Sequence, residues 1–273
     1  MICFPNAKIN LGLNIIEKRS DGFHNLETIF YPVAWNDALE VVVATDVVQD
    51  FNLHLSGIPI FGSLEDNLLY KAYQIIKQRK TLPKLNVYLQ KSIPMGAGLG
   101  GGSADAAFFI NLLNEQFELH FTETDRIEIA KQLGSDCAFF IKNTPVFASQ
   151  KGDVFKEIDL NLSHLYIAII YPNIHSNTKE AYSLVKPKKT TRSILEVIKQ
   201  PISSWKTDLK NDFEISIFNL YPSIEKIKYD LYDCGALYAS MSGSGSAVFG
   251  LFEKEPEIKD LLLFPHKIGK ITT

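Results

Sequence analysis

Apolar residues at Ile9, Leu11, Leu13 and Ile15 alternate with Asn10, Gly12 and Asn14, which predicts a strand with one buried face. Leu39 to Ala44 is an apolar, largely β-branched run suited to a buried strand, and the alternation returns at Phe51, Leu53 and Leu55 and again at Leu85, Val87 and Leu89. The period changes after Asp66, read as a helix cap, where Leu68, Leu69, Ala72, Ile75 and Ile76 share one helical face. A small-residue helix is predicted over 103–114. Thr122-Glu123-Thr124-Asp125 reads as a capping box that opens a third helix through Ile127, Ile129, Ala130 and Leu133, ended by Gly134. Phe139-Phe140-Ile141 reads as a short strand, as does Tyr166 to Tyr171. Helical patterns follow at Ser193 to Lys199, Asp208 to Phe218 and Ser223 to Tyr232. A Gly/Ser loop from Ala239 to Gly245 then leads into a strand, Ala247 to Phe252. A domain boundary is expected near residue 158, giving segments 1–158 and 159–273.

Length and composition narrow the class. The chain has 273 residues, 46% hydrophobic and 22% charged, with a net charge of −3. These are ordinary globular values with ample core. Lys186-Pro187-Lys188-Lys189 is the one basic run and reads as a solvated loop, so nucleic acid is not an expected partner. The cysteines Cys3, Cys137 and Cys234 lie far apart and form no C-x-x-C pair, which argues against a disulfide framework or zinc site and for a reducing cytoplasm. The first residues show no secretory pattern and the longest apolar run, Leu165 to Tyr171, is too short to span a membrane, so no membrane partner is expected.

Five of the sixteen glycines fall in Pro94-Met95-Gly96-Ala97-Gly98-Leu99-Gly100-Gly101-Gly102-Ser103-Ala104, between a predicted strand and a predicted helix. Glycine admits positive φ and close backbone approach, and a helix N-terminus offers outward N–H groups and the positive end of a dipole. The expected occupant is a phosphate. A P-loop is excluded, because no lysine follows the glycines until Lys131. Gly96, Gly98 and Gly101 spell a dinucleotide fingerprint, but about 20 residues on stands a helix start instead of an acidic strand end. A flexible linker would be polar and unframed. Ser103 could touch a phosphate or a Mg²⁺ ion, or serve as a plain N-cap. Read alone, Asp136 is a partly buried or capping carboxylate, and Lys8 is an exposed lysine on the polar phase of the first strand.

The glycine tract resembles the phosphate loop of the GHMP kinases, the superfamily of galactokinase, homoserine kinase and mevalonate kinase, in the form typical of its diphosphocytidyl branch. Ala7-Lys8-Ile9-Asn10-Leu11 and Gly134-Ser135-Asp136 are similar to two further family signatures, and Met241-Ser242-Gly243-Ser244-Gly245 to the motif that packs beside the phosphates. The resemblance implies a two-domain α+β fold, the N-terminal domain like ribosomal protein S5 domain 2 and the C-terminal domain ferredoxin-like. It implies ATP and Mg²⁺ as cofactors, residues 94–104 as the ATP loop, and Lys8 and Asp136 as the catalytic pair. Asp136 would accept the acceptor proton or orient the hydroxyl, and Lys8 would stabilise charge on the phosphoryl group. The family often has proline where this chain has Ala138.

Asp21-Gly22-Phe23-His24 resembles a segment specific to the branch whose substrate carries a cytidine diphosphate. Phe23 and His24 would then meet the base, by stacking and by hydrogen bonds to its edge. Without the resemblance His24 is a surface turn residue. Asn10, Thr178 and Tyr182 are carried over as further substrate contacts. Asn67, in Asp66-Asn67-Leu68, is carried over as a residue near the adenine. Two rivals remain: another GHMP small-molecule kinase such as homoserine kinase, and a silent nucleotide-binding relative. The branch-specific segment argues against the first, and retention of Lys8 and Asp136 against the second.

Overall fold

The computed structural model describes residues 1–45, 48–188 and 192–272. Lys189 of the basic run lies outside the described residues, while Lys186, Pro187 and Lys188 are exposed. The strands are β1 (Ile2–Cys3), β2 (Asn6–Lys18), β3 (His24–Asn36), β4 (Ala38–Val43), β5 (Phe51–Gly57), β6 (Leu85–Lys91), β7 (Val146–Ser149), β8 (Val154–Glu157), β9 (Tyr166–Ile170), β10 (Tyr238–Met241), β11 (Val248–Phe252) and β12 (His266–Lys270). The helices are α1 (Leu68–Lys77), α2 (Gly101–Gln116), α3 (Glu123–Leu133), α4 (Ser135–Lys142), α5 (Thr178–Leu184), α6 (Ile194–Val197), α7 (Ile202–Asp208), α8 (Phe213–Leu220) and α9 (Pro222–Asp233). The class is α+β. Contacts divide the chain into two compact units, one of residues 1–7, 35–95 and 100–143, the other of residues 8–34, 96–99 and 144–273.

The first unit is a sheet in the order β1-β4-β6-β5, with β5 and β6 parallel, packed with α1 to α4. In β6 the predicted alternation is realised: Leu85, Val87 and Leu89 are buried while Tyr88 and Gln90 are exposed. Helix α2 is buried along most of its surface by Ala104, Ala106, Ala107, Phe109, Ile110, Leu112 and Leu113. Small residues suit it, because α1, α3 and α4 all press against it. The capping box at Thr122 and Asp125 is present at the start of α3.

Two readings of this region are corrected. Phe139-Phe140-Ile141 lies in a helix, α4, and not a strand. A short apolar run carries no usable period when a helix is enclosed by neighbours, and here α2 and α3 enclose it. The cap of α1 is Asn67, whose side chain accepts from Leu69 N, whereas Asp66 accepts from the Ser63 hydroxyl. Nearby, three charges are buried together: the Lys91 ammonium pairs with Asp37 and, at 2.8 Å, with Asp105. Asp37 also accepts from the Ile93 amide at 2.9 Å.

The second unit holds two sheets, β2-β3-β7-β8 and β10-β11-β9-β12. The latter is antiparallel, with Ile170 opposite both Val248 and His266. Its core joins Ala168, Ile170, Phe213, Ile217, Ile227, Leu231 and Val248. Of the helix predicted over Asp208 to Phe218, residues 213–218 lie in α8 while Asp208 ends α7, because residues 209–212 leave the helix to pair with β2. Leu13 N donates to Lys210 O at 2.8 Å and Asp212 N to Leu13 O at 2.8 Å. Strand β2 is buried on both faces over Lys8 to Leu13, and Lys8 is not the exposed lysine that alternation predicts.

Two outcomes follow from the buried charges of the first unit. Lys91→Met leaves two carboxylates without their cation, and urea denaturation should show a loss of about 3–5 kcal/mol. Burial pushes the Asp105 carboxyl up to about 7, against the opposing pull of Lys91. The folded chain thus binds this proton more tightly than the unfolded one. The stability contributed by Asp105 is full below its ordinary value of 3.8 and is lost as pH rises through about 7. In Asp105→Asn this part of the pH dependence, at most ~1.4 kcal/mol per pH unit, should vanish from denaturation curves taken across the window.

Candidate active site

The glycine tract changes conformation residue by residue. Gly96, Gly98 and Gly100 all adopt left-handed backbone, at φ 69°, 81° and 73°. Gly100 is the N-cap of α2, so Ser103 lies inside the first turn and is not the cap. The first helical bond runs from Ala104 N to Gly100 O at 2.9 Å. Helix geometry then directs the N–H groups of Gly101, Gly102 and Ser103 outward from the N-terminus, the arrangement that receives an anion.

Residues 96–99 are fastened by the second Gly/Ser loop. Ala247 N donates to Ala97 O at 3.1 Å, the Ser242 hydroxyl donates to Gly98 O at 2.9 Å, and Lys8 N donates to Leu99 O at 2.9 Å. The two loops touch through bare backbone. A Cβ at Gly98 would lie 1.9 Å from Ser242 O, and one at Gly245 would lie 2.1 Å from Ala97 C and Gly98 N. The loop 242–246 is itself held by Asn211, which pattern reading did not single out. Its buried amide donates to Met241 O at 3.0 Å and Gly243 O at 2.8 Å.

In the first unit a cavity of about 330 Å³ is lined by Leu53, Leu55, Leu89 and Phe61, and brings Asn67, Met95, Gly102 and Asp105 to one place. Apolar walls with a few polar groups suit a planar base. The Asn67 oxygen is engaged at the α1 cap, which leaves recognition of a base edge to the amide nitrogen. The Cys137 thiol, beside Asp136 on the first turn of α4, feels both the Ser103 hydroxyl and the Asp136 charge. Burial pushes that thiol up to about 11, so it remains protonated at neutral pH. Asp136 is half-buried on the first turn of α4, where the helix dipole favours a carboxylate.

Lys8 and Asn10 form one buried relay. Lys8 Nζ donates to Asn10 Oδ1 at 2.7 Å, Asn10 Nδ2 to Thr28 Oγ1 at 3.0 Å, and Thr28 Oγ1 to Gly12 O at 2.5 Å. The ammonium also stands 4.8 Å from the centre of the Phe30 ring. These partners fix the lysine's rotamer in an interior where an unpaired charge would be costly. Thr28 was not legible, because nothing local distinguishes a threonine in a strand.

The base-binding candidates separate into two groups. His24 stacks on Tyr182, with ring centres 5.0 Å apart and planes at 26°, and Tyr182 meets Phe213 edge-on at 4.8 Å. Burial and the Lys18 charge lower the His24 pKa, so the ring is neutral near pH 7 and offers one donor and one acceptor. Phe23 faces solvent at 59% exposure with Lys151 above its ring, and is not part of this stack. Thr178 opens α5 and accepts from the Ser244 hydroxyl at 3.2 Å.

A helix N-terminus opened by glycines, a glycine clasp and a buried lysine relay are compatible with a small-molecule kinase, and comparison with known proteins gives the family. The profile for the GHMP kinases N terminal domain matches residues 67–144 and that for the GHMP kinases C terminal domain matches residues 195–265. The chain belongs to the GHMP kinase family. A 4-diphosphocytidyl-2-C-methyl-D-erythritol kinase from Bacteroides fragilis is 54% identical over 258 residues, covering 94% of each chain. The kinase of that name from Parabacteroides distasonis is 50% identical over 97% of this chain and 96% of its own. A crystal structure of 4-(cytidine 5'-diphospho)-2C-methyl-D-erythritol kinase superposes with a TM-score of 0.78 at 29% identity, over 92% of this chain and 90% of that one.

The clasp makes a contrast that thermodynamics can read. Gly245→Ala should cost about 3 kcal/mol in urea denaturation, because its Cβ meets backbone that cannot swing aside. In Gly102→Ala the new Cβ would sit 3.7 Å from Met95 Cε within a helix. That variant should hold or gain up to about 1 kcal/mol.

Proposed function

We propose that this chain transfers the γ-phosphoryl group of ATP to the 2-hydroxyl of 4-diphosphocytidyl-2-C-methyl-D-erythritol, a step of non-mevalonate isoprenoid precursor synthesis. The observation that carries this reading is identity of 50–54% to kinases of that name along nearly the whole chain. The stack of His24 on Tyr182 supports the cytidine substrate, because a neutral imidazole beside a second ring suits a base and has no purpose for a small aliphatic alcohol. We propose the cytoplasm as its location, and residues 1–158 and 159–273 as the functional division of the chain.

In this reading the adenine enters the cavity beside Asn67 and Met95, and the triphosphate meets the N–H groups at the start of α2. Phosphoryl transfer asks a protein mainly for positioning and charge. Asp136 orients the acceptor hydroxyl and takes its proton. Lys8, held by Asn10, stabilises charge on the phosphoryl oxygens. Thr178, Tyr182, His24 and Phe23 hold the substrate. Mg²⁺ would neutralise the phosphates, with the Ser103 hydroxyl in the first turn of α2 as the group that would reach it. Among the described residues there is no cluster of three or more His, Cys, Asp or Glu side chains for a metal, whereas the Ser103 hydroxyl stands beside the phosphate-receiving helix end.

The test is ADP release with Mg·ATP and, in turn, the cytidine substrate, homoserine and mevalonate. Turnover on the cytidine substrate alone is expected, and Asp136→Asn should lower kcat by about 10²–10⁴-fold. Turnover on homoserine or mevalonate in its place would overturn the substrate. ATP binding with no turnover on any alcohol would favour a silent nucleotide-binding protein.

A further inference from the structure

The segment joining β9 to α5 carries a histidine that no motif marks. Its neighbours are tied to the second Gly/Ser loop. The Ser246 hydroxyl donates to Ile174 O, the Ser176 hydroxyl donates to Ser244 O at 2.7 Å, and the Ser244 hydroxyl donates to Thr178 Oγ1 at 3.2 Å. Ser176 is 4% exposed, so the backbone on both sides of His175 is anchored while the residue itself is exposed. The near edge of its ring faces the glycine tract. A Cβ at Gly96 would lie 2.2 Å from His175 Nδ1 and 2.4 Å from Cε1, so the imidazole stands where a side chain at Gly96 would be.

Hydrogen bonds fasten the tract at Ala97, Gly98 and Leu99. At Gly96, where the backbone enters left-handed space at φ 69°, the support is the packed ring. We propose that His175 is a positioning residue of the glycine loop, its imidazole filling the space left by the bare Gly96 and holding residues 96–99 in the shape that receives a phosphate. The role rests on the reading of this loop as nucleotide-binding, and it acts through Gly96. Ring volume carries it, so phenylalanine replaces histidine and alanine does not.

Two measurements on the full-length chain test this. Amide hydrogen exchange on the unliganded protein should show the amides of Lys8 and Ala247, which donate to Leu99 O and Ala97 O, exchanging roughly tenfold faster in His175→Ala and unchanged in His175→Phe. In the kinase assay His175→Ala should raise KM for ATP roughly tenfold with kcat within about twofold, and His175→Phe should match the parent. An unchanged melting temperature identifies both variants as folded. Parental exchange and KM in His175→Ala would overturn the proposal. So would His175→Phe as impaired as His175→Ala, which would assign the effect to the ring nitrogens. The exchange readout needs no substrate. A parent enzyme without turnover would therefore overturn the kinase reading and leave the exchange data to decide this one.

Discussion

Backbone packed directly on backbone is the constraint on which the site depends. At Gly98 and Gly245 two chain segments approach so closely that neither has space for a methyl group. Main-chain carbonyls and amides therefore face each other within hydrogen-bonding reach, and the loop takes its shape from peptide geometry. A loop built this way needs no reorganisation when charge arrives, which is the condition under which fixed dipoles work best. The left-handed turn at Gly100 then delivers the chain into α2 with its first amides directed outward.

Buried charge is handled by the same economy of contacts. Lys8 is enclosed, yet its ammonium meets Asn10 and the face of Phe30, and Asn10 is held in turn by Thr28. Lys91 is enclosed between two carboxylates, one of which retains affinity for a proton near neutrality. The first lysine is held by an amide and an aromatic face, with its rotamer fixed. The second ties the end of β6 to the start of α2 and so supports the helix that carries Ser103.

Much of this was legible in residue order. Glycine spacing located the left-handed tract that opens α2 because conformational need is written into that residue type, and Thr122 with Asp125 announced α3 through side-chain chemistry confined to four residues. Lys8 was misread when taken alone, because alternation along β2 describes one covered face and the structure covers both. Phe139 to Ile141 was misread because an enclosed short helix has no polar side to reveal its period. Asp37, Asp105 and Asn211 were invisible for a common reason. Each acts on a partner distant in sequence, and no local pattern distinguishes a carboxylate or amide that will be buried from one that will be solvated.

The segments that make up the second unit have a consequence for the order of events at synthesis. Residues 8–34 and the tract 96–99 are made early, yet groups that fasten them lie at Lys210, Asp212, Ser242 and Ala247. The residues of the first unit all lie within 1–143, so it can begin to collapse while the remainder is still being made. The long-range pairings of β2 must wait for almost the whole chain, which places the slow, high-contact-order step last. The glycine loop, the plainest signal in the sequence, is thus among the last parts of the molecule to take its final form, and a chain that stops short of residue 247 retains the motif without the loop's shape.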